Sequence, residues 1–156
     1  MSRELFILVF IWMVSIIILL WISKDRLRLT QITILFSGTL SWILVFLLVY
    51  FHIVRYPYRE FKIATKMGFS HYYVLFPIIA AVFIHFYPKQ PGKVKMLLYY
   101  LTFSIAIPTI YVVEEKVSNL ILFLNYNWGL HVIANLMLFY IVKKFVFWFQ
   151  KGLAES

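Results

Sequence analysis

The sequence predicts an all-α integral membrane bundle of five transmembrane helices in one membrane domain, residues 1–156. Three observations carry that expectation. Hydrophobic residues make up 63% of the chain and charged residues only 13%, where soluble domains are about half apolar. Five apolar, aromatic-rich runs cover residues 5–22, 32–54, 69–87, 96–113 and 128–149, each near the roughly 20 helical residues that cross a 30 Å hydrocarbon core. The polar stretches between them are no longer than about 15 residues, the length of connections rather than domains.

The first run carries a single interior polar residue, Ser15, and is expected at the periphery. It lacks a small-residue cleavage site and ends in Ser23-Lys24-Asp25-Arg26-Leu27-Arg28, a stop before a second span rather than the end of a signal peptide. On the second run Gln31, Gly38, Ser41 and His52 fall in one stripe at 100° per residue. The third aligns Ser70, His71, Ala81 and His85, the fourth Tyr100, Ser104, Tyr111 and Glu115, and the fifth Trp128, His131 and Asn135. Small and polar residues mark helix–helix contacts in lipid, so runs two to five are expected to form the packed bundle. Pro77 and Pro108 are expected to kink their helices, freeing the carbonyls of Tyr73 and Ser104.

Two connections have a character of their own. Residues 55–67 mix Tyr56, Tyr58 and Phe61 with four basic side chains, as suits a headgroup region. Residues 116–127 are too short and too polar at their ends to span; they are expected as an interfacial helix or partly re-entrant segment, with Asn119, Asn125 and Asn127 bonding backbone groups. Lys143 and Lys144 interrupt the fifth run and are expected to reach the interface beside an aromatic belt.

An odd number of spans puts the termini on opposite faces. The N-terminal face, face one, holds six basic residues and face two nine; the positive-inside rule then places the C-terminus in the cytoplasm. The net charge of +9 is explained by these loop cations and the anionic headgroups they meet, not by nucleic acid. The absence of cysteine excludes disulfides, thiolate metal sites and a cysteine nucleophile.

His52, His71, Glu114, Glu115 and His131 all fall near face one, with His85 about 21 Å further along the third helix. Carboxylates at a span end need partners; Arg55, Arg59 and Lys116 are available on the same face, where Arg59, Glu60, Glu114, Glu115, Asn119 and His52 come together. These residues are the binding or ionic-lock candidates, with Arg59 or Glu60 expected to pair with Glu114 or Glu115. His71, His131 and Glu115 are the candidate ligands of a zinc or proton site, although no HExxH-like spacing supports a metal and no other cofactor is implied. No Ser or Thr sits in a nucleophile context and no Gly-rich phosphate loop occurs. The leading expectation is a non-enzymatic membrane component associated with lipid, a membrane partner or a second copy of itself. A small transporter or channel element with a His/Glu site comes second, and a membrane-embedded enzyme third.

Several motifs occur in order: Tyr56-Pro57-Tyr58-Arg59-Glu60-Phe61, Tyr87-Pro88, Tyr99-Tyr100, Glu115-Lys116-Val117-Ser118-Asn119-Leu120-Ile121 and Tyr126-Asn127-Trp128. From about Leu35 onward the chain resembles a family of small multi-pass membrane proteins of spore-forming Gram-positive bacteria whose function is uncharacterised. That family's pattern has Tyr-Pro-x-Arg-Glu-Phe, a later Tyr-Pro, Glu-Lys-Tyr-Thr-Asn-Leu-Ile and a tryptophan pair. Here Val117 and Ser118 stand for Tyr and Thr, Tyr126 for the first tryptophan, and Tyr111 for a carboxylate four residues before Glu115. The resemblance implies a plasma-membrane bundle whose important end is face one.

Overall fold

The computed structural model describes residues 3–22, 26–89 and 92–155. The five apolar runs fold as helices: α1 (Arg3–Trp21), α2 (Leu27–Tyr50), a π-helical segment (Ser70–Leu75) running directly into α3 (Phe76–His85), α4 (Lys93–Val117) and α5 (Trp128–Glu155). Four of these, α1, α2, α4 and α5, are long and apolar enough to cross a bilayer, whereas the third helix, Ser70–His85, is shorter. The stop segment's Lys24 and Asp25 lie outside the described residues.

The short third helix is the hub of the bundle. It packs against α1, α2, α4 and α5 and buries Phe76, Ala80 and Phe83 almost completely. α1 touches mainly this helix, burying Leu8, Ile11 and Ser15 along one side while its remaining faces stay apolar and exposed, which is the peripheral position its sequence implies. A polar bond fastens it to the third helix, from the Trp12 indole N–H to the Ser70 hydroxyl at 2.9 Å. On α2 the buried stripe is Thr30, Thr33, Ser37, Gly38, Ser41 and Val45. Gln31 is exposed, one step off the stripe expected for it. The hydroxyls of Thr30, Thr33 and Ser37 bond back to carbonyls four residues earlier, so each polar group is satisfied within its own helix.

Two side-chain contacts set the depth of the third helix. Ser70 meets Trp12, eight residues into α1 from Glu4, and Tyr72 meets Ser41, nine residues before the end of α2. At 1.5 Å per residue, both place the third helix's N-terminus about 12–14 Å below the face-one ends of its neighbours. The chain between Phe51 and Phe69 therefore descends into the bundle. Irregular backbone at such depth is tolerated where protein covers it.

That cover comes from residues 118–127. Ser118 is extended (φ −147°) and ends α4, its N–H and hydroxyl both returning to the Glu114 carbonyl. Of the two forms expected for the segment beyond, an interfacial helix or a partly re-entrant stretch, the helix is not formed; a two-residue strand lies there instead. β2 (Leu122–Phe123) pairs antiparallel with β1 (Val54–Arg55), Val54 opposite Phe123 and Arg55 opposite Leu122. Bonds from Leu124 N–H to the Ile53 carbonyl and from Tyr58 N–H to the Asn119 carbonyl extend the join. Leu120 and Ile121 are buried as plugs; pairing across two loops supplies the backbone partners a helix would have supplied locally. Of the three asparagines, Asn127 caps α5 by accepting from the Leu130 N–H, while the Asn119 amide lies 3.4 Å from Glu4.

Candidate functional site at the face-one end

Three carboxylates at the face-one end each find a different partner. The Glu60 carboxylate accepts from the backbone N–H groups of Phe69 (3.2 Å) and Ser70 (2.9 Å). It thereby caps the sunken N-terminus of the third helix, where unpaired donors and the positive end of the helix dipole favour an anion. Burial is the largest single influence on this carboxyl and pushes its pKa up; the bonds from Ser70 and Phe69 together outweigh it and hold the group below its ordinary value. Glu115 accepts from the Phe123 N–H at 3.0 Å, fastening the end of α4 to β2.

Glu114 makes the deepest contact. Both its oxygens lie 2.8 Å from Nε2 of His71, with the histidine 1% and the glutamate 5% exposed. Glu114 shares a stripe with Ser104, Ile107 and Tyr111, the buried face of α4. The His71–Glu114 contact joins residues 43 apart in sequence. The anticipated lock between Arg59 or Glu60 and Glu114 or Glu115 is thus replaced by three separate fastenings. The reason is competition: helix-end and strand N–H groups claim Glu60 and Glu115, and a buried imidazole claims Glu114.

Aromatic hydroxyls enclose the pair. Tyr56 donates to the Tyr72 hydroxyl at 2.7 Å, and the rings of Tyr56 and Tyr111 stand 6.5 and 5.7 Å from that of His71. Burial, followed by the nearness of Tyr72, drives the Tyr56 hydroxyl's pKa far above its usual range, so it remains a neutral donor. His131 lies 5.8 Å from the Tyr111 ring and bonds through Nδ1 to the Tyr126 hydroxyl at 2.7 Å. Burial likewise raises the Tyr126 pKa, so the phenol stays neutral in this bond. Gly68 lies close against Tyr56 and His71: a Cβ there would stand 3.0 Å from Tyr56 Cδ1 and 3.1 Å from His71 Nδ1, tighter than ordinary contact.

Several polar atoms of the same region have no protein partner: His71 Nδ1, the hydroxyls of Tyr111 and Ser104, and both amide atoms of Asn135. Buried groups of this kind are where ordered water or a small polar ligand sits. Towards face two the region meets an apolar block in which Phe83 packs on Phe103 and Phe139, at 5.3 and 4.8 Å between rings. His85 lies beyond it, against Trp21 and Phe86. The candidate metal ligands separate, since His71 is held by Glu114, His131 by Tyr126 and Glu115 by β2; no three His, Asp or Glu among the described residues are grouped to hold a metal.

Arg59 and His52 line a second feature, a cleft of about 1000 Å³ open at face one that also takes in Arg55, Lys66, Tyr50 and Tyr56. The Arg59 Nε is buried there without a hydrogen-bond partner. His52 has a backbone role as well: with φ 55° it is the left-handed residue of a Schellman turn, its N–H reaching the Val49 carbonyl and that of Ile53 the Leu48 carbonyl. Tyr56 and Tyr72, central to the buried region, were not among the sequence candidates. Tyr56 sits in a loop that reads as interfacial, and no local signal marks its descent.

No family model matches the chain, and no curated protein or solved structure is similar to it.

Proposed function

We propose that the chain is a five-span, non-enzymatic component of the plasma membrane, with its C-terminus in the cytoplasm, whose face-one end is a rigid docking surface for an anionic partner group. One observation carries this reading: the His71–Glu114 pair is buried, at 1% and 5% exposed, with the Tyr56 ring 6.5 Å from the imidazole, and the Phe83–Phe103–Phe139 block adds an apolar cluster within the bundle. A conduit needs polar groups along its length, and this arrangement favours a lock that holds the surface above it. The cleft formed by Arg55, Arg59 and Lys66 gives that surface its cationic character. The third helix is the fifth span, shorter than the other four.

A second reading, a small proton-coupled transporter or channel element, is favoured by the unpartnered polar atoms of His71, Tyr111, Ser104 and Asn135, which resemble a hydrated site. Proton flux separates the two. Proteoliposomes loaded with a pH-sensitive dye should respond to an imposed gradient no faster than protein-free vesicles. A protein-dependent flux abolished by His71→Ala or Glu114→Gln would replace the docking reading with transport.

A further inference from the structure

The opposite end of the bundle carries a separate cationic cleft. About 730 Å³ in volume, it opens where the start of α2, the end of α3 and the last turns of α5 meet. Arg26 and Arg28 line it from α2, Lys89 from the chain after α3 and Lys143 from α5, and no carboxylate is among its described lining residues. Leu29, Ile84 and Phe147 add apolar side chains to the same lining.

Each cation is held differently. Arg26 donates through Nη1 to the His85 carbonyl at 3.1 Å, satisfying the C-terminal end of α3 and fixing the guanidinium at the rim with further N–H donors to spare. Lys143 Nζ stands 5.4 Å from the ring centres of both Tyr87 and Phe147, a placement that orients an ammonium without neutralising it. Arg28 and Lys89 are exposed and form no ion pair among the described residues. Several positive charges with no carboxylate among the described lining residues, beside apolar side chains and at the end of membrane-length helices, match an amphiphile with an anionic head and a hydrocarbon tail.

We propose that this cleft is a binding site for the phosphate headgroup of an anionic phospholipid, with Arg26, Arg28 and Lys143 on the phosphate and the glycerol and first acyl carbons over Leu29 and Phe147. The site rests on the membrane reading of the helices but is independent of the docking surface at face one, and proton flux has no bearing on it.

The test uses the full chain in neutral detergent, titrated with dioleoyl-phosphatidylglycerol, dioleoyl-phosphatidylcholine and glycerol 3-phosphate, and read by native mass spectrometry and thermal stability. Phosphatidylglycerol should bind in preference to phosphatidylcholine, with Arg28→Gln and Lys143→Gln each weakening it about fivefold. Lys62→Gln, at face one, should leave it unchanged. Arg26→Gln also removes the bond to α3, so the two variants that spare that bond are the decisive ones. Equal retention of the two lipids, or loss of preference in none of the variants, overturns the site. Stabilisation by glycerol 3-phosphate equal to that by the lipid overturns the lipid assignment and identifies a soluble phosphate ester as the ligand.

Discussion

The Ser41 hydroxyl donates to the backbone carbonyl of Tyr72 at 2.6 Å, and that carbonyl is the one Pro77 leaves without a partner. In the π-helical segment the bonds run five residues back, as from the Phe76 N–H to the His71 carbonyl. The next bond would join residue 77 to Tyr72, and proline has no N–H to give. Gly38 lies one turn earlier on α2 and faces the Pro77 ring, which would stand 3.5 Å, an ordinary contact distance, from a Cβ there. The proline's freed carbonyl is thus Tyr72, one residue from the Tyr73 that α-helical counting gives.

Ser41→Ala should therefore lower stability by roughly 1–3 kcal/mol, the cost of a buried acceptor left unpaired. In a Pro77→Ala background the restored N–H can serve Tyr72, and the same substitution should cost clearly less. Thermal denaturation in detergent of the single and double variants measures this. An equal cost in both backgrounds would show that the two positions do not share the carbonyl.

The Glu60 cap predicts an acid dependence. Its carboxyl is held below its ordinary pKa of 4.5 in the folded chain, so its contribution is fully present above that value and is lost as pH falls through the lowered one. Glu60→Gln should cost about 1 kcal/mol at neutral pH, in line with other helix N-terminal caps. The difference between the two proteins should shrink as pH falls below 4.5. Melting curves from pH 7 to pH 3 check both statements, and a difference that stays constant would assign the loss to packing.

At His52 the backbone, with φ 55°, calls for a residue that tolerates the left-handed region. His52→Gly should keep or raise the melting temperature, whereas His52→Val should lower stability by roughly 1–2 kcal/mol. Equal losses from both would show that the imidazole, not the turn, stabilises this corner.

The sequence reveals the bundle through its five apolar runs and much of its packing through polar stripes: Gly38 and Ser41, Ser70 and His71, Ser104 and Tyr111, His131 and Asn135 are all buried. These are signals of period 3.6, local to one helix. What sequence reading misses depends on contacts between distant segments. Glu114 and Glu115 are adjacent, and only the histidine 43 residues away decides which of them is buried. The depth of the third helix depends on Glu60 reaching its end and on β2 roofing the loop, neither of which leaves a periodic trace. The π register escapes notice because it shifts the stripe by one residue per turn without altering composition.

The central claim is that His71 and Glu114 act as one buried unit locking the face-one end. A double-mutant cycle with His71→Ala and Glu114→Ala, read by thermal and chemical denaturation in detergent, tests it most directly. Either single substitution leaves a buried group without its partner and should cost about 3–5 kcal/mol. The double variant should be less destabilised than the sum of the singles by about 2–3 kcal/mol. Losses that simply add would contradict the account, because two groups that hold each other cannot be removed independently.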